Sequence, residues 1–204
     1  PLVVDLVYAK EKHPENMFKE AIYHAEAKLW LHTGLAEIVK SVSTILYDSY
    51  GWKLMLKDGL RTTTAQERIM HTKICQKHPE WFVEPRLFSP PGAGGHPRGM
   101  AVDVDAYNLG TEYMVDFGTV FDALPADRYK SNPAARNYMG FPDAVLRNRK
   151  SLEKAFLKAS ELHSIEINPL SGEWWDFRYM NEHFGQYAPL SDDDLPPQMR
   201  MLSV

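Results

Sequence analysis

Met100-Ala101-Val102-Asp103-Val104-Asp105-Ala106-Tyr107, MAVDVDAY, alternates apolar and acidic side chains almost residue by residue. Successive side chains of a strand point to opposite faces, so the stretch predicts a strand with Val102 and Val104 on one face and Asp103 and Asp105 on the other. Two acids on one strand face are costly to bury unless that face is wet or carries a cation. Just upstream, Ser89 to Arg98, SPPGAGGHPR, is dominated by Pro and Gly and predicts a long loop. His96 therefore sits in a loop and Asp103 on the strand that follows it. A loop donor converging with a strand donor presents two metal ligands from one segment. The blander alternative is a solvated loop histidine and an aspartate satisfied by backbone donors.

Working outward, PLVVDLVYAK at the start of the chain reads as a strand. Apolar residues recur at helical spacing from Lys28 to Tyr47 (Leu29, Leu35, Ile38, Val39, Val42, Ile45, Leu46), which predicts a helix with one buried face. Trp52 to Leu56 reads as a strand ending at Asp58-Gly59. Thr62 to Thr64 are placed to cap a second helix that continues through Cys75, with Arg61 at its entrance. A strand is expected at Tyr113 to Phe117, a long helix at Asn148 to Leu162, and a last hairpin from Ile165-Glu166-Ile167 into EWWDFRYM. Strands and helices mix without a regular βαβ rhythm. That order predicts an α+β fold with a mainly antiparallel central sheet flanked by helices. The 204 residues suffice for one hydrophobic core and are too few for two large ones, so residues 1–204 are expected to form a single domain.

Composition narrows the function classes. No apolar run approaches the roughly 18 residues of a membrane span. The net charge of -4 argues against a nucleic-acid partner, because phosphate backbones are bound by basic surfaces. Cys75 stands alone, which excludes an internal disulfide framework and a cysteine zinc cluster; a metal must be held by His, Asp or Glu. The numbered chain opens at Pro1 without a basic-then-apolar leader, so a cytoplasmic location is expected, with a periplasmic or secreted location after removal of a leader as the alternative.

The second telling stretch is Gly172-Glu173-Trp174-Trp175-Asp176-Phe177, in which two tryptophans are wedged between two carboxylates. Adjacent large aromatics predict burial, and acids buried beside them demand a partner. Either a cation sits there or the acids face outward.

Taken together, these stretches resemble the zinc D-alanyl-D-alanine dipeptidases, relatives of the LAS-type peptidoglycan peptidases. The family pattern Ser-x-His-x-x-Gly-x-Ala-x-Asp is similar to Gly94-x-His96-x-x-Gly99-x-Ala101-x-Asp103, and its Glu-Trp-Trp-His-Phe to Glu173-Trp174-Trp175-Asp176-Phe177. Asp58-Gly59-Leu60-Arg61 is similar to the family's Asp-Gly-Tyr-Arg, and Asp116-Phe117-Gly118-Thr119-Val120-Phe121-Asp122 to its Asp-Met-Gly-Thr-x-Phe-Asp. The order and approximate spacing agree from about residue 2 to 180.

The resemblance implies a metal-dependent dipeptidase acting on D-Ala-D-Ala or a related small dipeptide, without a covalent intermediate. It implies one divalent metal ion, zinc first and manganese or iron as alternatives, held by His96, Asp103 and Asp176. Glu173 is then the general base, Arg61 the group that steadies the scissile carbonyl oxygen, and Asp122 the receiver of the substrate amine. Without the resemblance, Arg61 reads as a helix-end or ion-pair residue, Asp122 as a turn residue, and the tryptophans as core.

Two positions depart from the family pattern: Asp176 stands where it has its third ligand histidine, and Gly94 where it has serine. Aspartate is a competent zinc ligand, but a His/Asp/Asp set puts two negative charges on the ion and leaves it less able to acidify water, favouring slower hydrolysis or a harder ion such as manganese. His183 and His163 are rival third ligands. Strict alternation would send Glu173 and Asp176 to opposite faces, so Glu173 must lie at an irregular strand start, which Gly172 permits. The competing expectation is a catalytically weak or inactive member that binds a peptidoglycan-derived fragment.

Overall fold

A computed structural model describes residues 1–83, 87–123 and 131–202. Its centre is a six-stranded sheet in the order β1-β2-β3-β6-β5, with β4 folded back onto β3. The strands are β1 (Leu2–Val4), β2 (Trp52–Asp58), β3 (Ala101–Asn108), β4 (Tyr113–Met114), β5 (Ile167–Pro169) and β6 (Asp176–Tyr179). Among the described residues only β1 and β2 pair in parallel; the β2–β3, β3–β4, β3–β6 and β5–β6 pairs are antiparallel. The helices are α1 (Thr33–Tyr50), α2 (Thr63–Met70), α3 (Lys73–Lys77), α4 (Asp143–His163) and the single turn α5 (Asn181–Phe184). The result is the expected α+β arrangement with helices flanking a mainly antiparallel sheet.

The alternation of MAVDVDAY sorts the two faces of β3. Val102 pairs with Phe177 of β6, and Phe177 stacks on Phe156 of α4 with ring centroids 3.7 Å apart. Val102 and Val104 thus share the buried cluster formed by Leu35, Ile38 and Val42 of α1 and Leu152 and Phe156 of α4. By the two-residue period of strands, Asp103 on β3 and Asp176 on β6 occupy the other face.

Two local departures from the sequence expectation have evident physical causes. The first helix begins at Thr33 and not Lys28, because the preceding segment spends its backbone groups on loops: Trp30 O accepts from Leu60 N at 2.8 Å, and His32 N donates to Gly99 O at 2.7 Å. A side chain on Gly59 would collide with Trp30 O at 2.7 Å, so the glycine is what lets the Asp58–Arg61 turn lie under that segment. The second helix divides at His71-Thr72, where the Thr72 hydroxyl donates to Ile69 O at 2.7 Å and its side chain caps α3. The strand expected at Tyr113 to Phe117 stops at Met114.

Trp174 and Trp175 are core residues, 1% and 0% exposed. Trp174 stacks on Phe117 at 4.3 Å and donates from Nε1 to Thr119 Oγ1 at 2.8 Å, while Trp175 packs edge-on against Phe121. They tie the segment leading to Asp122 against the turn that carries Glu173.

Candidate functional site

Register makes the site. Asp103 is the cross-strand partner of Asp58 on β2 and of Asp176 on β6, so three carboxylates line up across three strands. An irregularity between Leu56 and Asp58 brings Asp58 into the row. All three are at most 2% exposed. Like charges directly opposite one another repel, and buried ones do so in a low dielectric, so the row calls for cations between its members or a proton on one of them; burial indeed pushes the Asp103 carboxyl up.

Three side chains supply that charge. Arg61 donates from Nε and Nη2 to Asp58 Oδ2 at 2.9 and 2.7 Å, and its Nη2 lies 3.4 Å from Asp103 Oδ2. Tyr23 holds the other Asp58 oxygen at 2.8 Å. Arg178, two positions beyond Asp176 and so on the same strand face, donates from Nε to Asp176 Oδ1 at 2.8 Å and from Nη2 to Asp176 Oδ2. His96 enters from the short 3-10 turn His96–Arg98 that closes the Gly/Pro loop, with Gly99 in the left-handed region at φ 63° ending the turn.

The His96 ring is oriented by the neighbouring loop. Its Nδ1 lies 2.8 Å from Gly59 O, and since a carbonyl only accepts, Nδ1 donates. Nε2 is thereby aimed at the acids, 3.5 Å from Asp103 Oδ1 and 3.5 Å from Asp176 Oδ2. Burial pulls the His96 pKa down most strongly of any single cause, but the Asp103 charge and the contacts with Asp103 and Asp176 together hold the ring up to about 10. Burial likewise opposes the charge on Asp176, yet the Arg178 guanidinium keeps its carboxyl below the usual carboxylate range.

Glu173 lies outside β6, in the irregular turn after Ser171-Gly172, where its N–H donates to Leu170 O. That position frees it from strand alternation. Its carboxylate falls within 4.8 Å of the Asp103 and Asp176 oxygens, on their side of the sheet. Burial and the charges of Asp176 and Asp103 push its pKa up to about 8. Asp122 adopts a left-handed φ of 58°, a conformation that aspartate tolerates better than most residues. It accepts a hydrogen bond from the buried Tyr8 hydroxyl, and burial raises its pKa to about 7. Arg61, His96, Asp103, Asp122, Glu173 and Asp176 all line one cavity of about 410 Å³.

The donors fit a divalent cation. Two ligands bonded tetrahedrally at about 2.0–2.1 Å stand roughly 3.3 Å apart, close to the 3.5 Å separations of His96 Nε2 from Asp103 and Asp176. Asp103 Oδ1 is buried without a hydrogen-bond partner among the described residues, as an oxygen reserved for a cation would be. The Nδ1 contact of His96 with Gly59 O is the type of outer support that orients ligating histidines. Asp176 is the shared member, because Arg178 bonds both of its oxygens.

The rival histidines lie elsewhere. His163 Nε2 is 2.8 Å from Ser41 Oγ at the end of α4, and His183 packs against Tyr179 and Tyr187. Neither lines the cavity. A separate cluster of Asp5, His13 and Glu15 has the Lys57 ammonium in its midst, 3.0 Å from Asp5 and 2.6 Å from Glu15, and so carries its own cation. Sequence reasoning gave no role to Arg178, Tyr8, Tyr23 or Asp58. For Arg178 the signal was present: a cation two residues beyond Asp176 on one strand shares its face.

A family model described as D-ala-D-ala dipeptidase matches residues 3–192. No curated protein sequence matches the chain. Among solved structures, the chain is similar to the Serratia marcescens L-Ala D-Glu endopeptidase ChiX, at 13% identity and a TM-score of 0.41, with 76% of this chain and 84% of that chain covered.

Proposed function

The chain belongs to the D-ala-D-ala dipeptidase family of peptidases, and from that premise we propose that it hydrolyses D-Ala-D-Ala or a related small dipeptide in the cavity at the Asp58–Asp103–Asp176 row. Supporting this is the approach of His96 Nε2 to both Asp103 and Asp176 beside the carboxylate of Glu173. The family's members are metallopeptidases, usually with zinc. When bound by His96, Asp103 and Asp176, a divalent cation supplies an acidified water and polarises the scissile carbonyl.

The chain's own residues do the rest. Glu173 takes the proton of the attacking water onto its carboxylate and delivers it to the leaving amine, the role of a general base that becomes a general acid. Arg61 faces the carbonyl oxygen as negative charge develops there. Its guanidinium is already fixed by Asp58, so little reorganisation accompanies the reaction, and such a donor contributes about 3–4 kcal/mol to the transition state. Asp122, anchored by Tyr8, receives the free ammonium of the substrate and so limits it to short peptides. Two carboxylates among three ligands favour a harder ion or slower turnover than a two-histidine set.

The clamp of Arg178 on Asp176 favours a second reading, a member that binds a peptidoglycan-derived fragment without cleaving it. Release of D-alanine from D-Ala-D-Ala by the purified protein, with zinc, manganese or iron supplied, separates the two. Turnover with any of these ions supports hydrolysis. Dipeptide binding without turnover under all of them leaves only the binding function.

A further inference from the structure

We propose that Arg178 and Ser89 form a carboxylate-binding subsite across Gly94, at the mouth of the cavity, that selects dipeptides by a free carboxylate. The proposal rests on the dipeptidase reading and deepens it by naming what the substrate must carry.

The guanidinium of Arg178 is held in one plane because Nε and Nη2 both bond Asp176. Nη1, on the opposite edge of the fork, donates to no group among the described residues. It faces Gly94: a methyl group on that glycine would lie 3.7 Å from Arg178 Nη1 and 3.7 Å from Ser89 Oγ. One guanidinium donor and one hydroxyl donor thus flank the same small space, and all three residues line the cavity. That pairing suits a planar anion with two oxygens.

The space is built into the loop. Gly94 has a φ of 86°, where a side chain is strained, and Arg98 Nη1 pins the loop by donating to Gly94 O at 2.8 Å and Gly92 O at 2.9 Å. Of the cavity's cationic groups, Arg61 spans two acids and His96 lies between two, whereas Arg178 hydrogen-bonds one acid alone. Among the described residues, Arg178 is therefore the group with capacity left for a substrate anion. Asp122, on the same cavity, answers the ammonium. The carboxylate comes from the C-terminus of the dipeptide or from an acidic side chain, and the two are separable by experiment.

The test measures binding by calorimetry to zinc-loaded Glu173→Gln protein, alone and combined with Arg178→Met, Arg178→Lys or Ser89→Ala. The probes are D-Ala-D-Ala, D-Ala-D-alaninamide and D-Ala-D-Glu. The parent is expected to favour a carboxylate-bearing probe over its neutral counterpart by about 10- to 100-fold, as for a charge-assisted pair. Arg178→Met is expected to abolish that preference, Arg178→Lys to keep part of it, and Ser89→Ala, which leaves the Asp176 pair untouched, to reduce it about threefold. Loss of discrimination against the amide identifies the C-terminal carboxylate; loss of a preference for D-Ala-D-Glu identifies the side chain. Equal binding of all three probes by the parent, or a preference unmoved by both Arg178→Met and Ser89→Ala, overturns the subsite. Should the unsubstituted protein turn over no dipeptide while the preference still collapses in Arg178→Met, hydrolysis fails and the subsite stands.

Discussion

Asp103 and Asp176 stand directly opposite each other across β3 and β6, with His96 Nε2 3.5 Å from an oxygen of each. In a sheet such a pair repels, and here both members are buried. In the bare protein the charge of the pair is met by His96 and Arg178, and the proposed function has a metal ion meet it instead.

Removing the acid should expose that balance. Asp176→Ala leaves Arg178 without its carboxylate, and breaking a buried ion pair from one side costs about 3–5 kcal/mol. Denaturant titration of the metal-free protein is expected to show this loss, with Asp176→Ala/Arg178→Met recovering a part of it. Equal stability of Asp176→Ala and the parent would contradict the pairing.

Glu173→Gln keeps the shape of the side chain and removes its basicity. We expect kcat to fall about 10²- to 10⁴-fold with metal content unchanged, measured by D-alanine release and elemental analysis of the same sample. A comparable loss of metal would assign Glu173 to ion binding.

The raised pKa of Asp122 gives a pH signature. Its carboxyl is neutral below about 7 and anionic above, so the grip on the substrate ammonium weakens as pH falls through that value and KM rises. Asp122→Asn should flatten this arm of the KM profile. Tyr8→Phe removes the donor that favours the anion and should displace the arm to higher pH.

Outside the cavity, Asp5 offers a stability test of opposite sense. Burial resists its charge, but the Lys57 and Lys10 ammoniums hold its pKa down to about 2, against 3.8 unperturbed. A folded-state pKa lowered in this way stabilises the protein above the unfolded value, and the benefit disappears as pH falls through the folded one. After allowance for solvent screening, Asp5→Asn is expected to cost about 1 kcal/mol at pH 7, the gap closing between pH 4 and pH 2 in paired urea titrations.

Much of this was legible in the sequence. The strict alternation of MAVDVDAY fixed both the central strand and the side on which Asp103 sits. The irregular start expected for Glu173 is the turn at Ser171-Gly172, which ends before β6 begins at Asp176. Less legible was whatever depends on partners distant in sequence. Helical periodicity from Lys28 could not reveal that Trp30 and His32 had committed their backbone to Leu60 and Gly99. Nor could any local pattern align Asp58 with Asp103 and Asp176, since that row depends on the register of three strands and an irregularity in one. Arg178 was missed for a different reason: its place two residues beyond Asp176 signalled a shared strand face, but the family pattern gives that position no role.

The most direct measurement is anomalous diffraction at the zinc edge from crystals of the protein grown with zinc. We expect one strong peak bounded by His96 Nε2, Asp103 and Asp176, within reach of the Glu173 carboxylate. A map with no peak there, and Arg178 still clamped on both oxygens of Asp176 at saturating zinc, would contradict the metal-dependent dipeptidase.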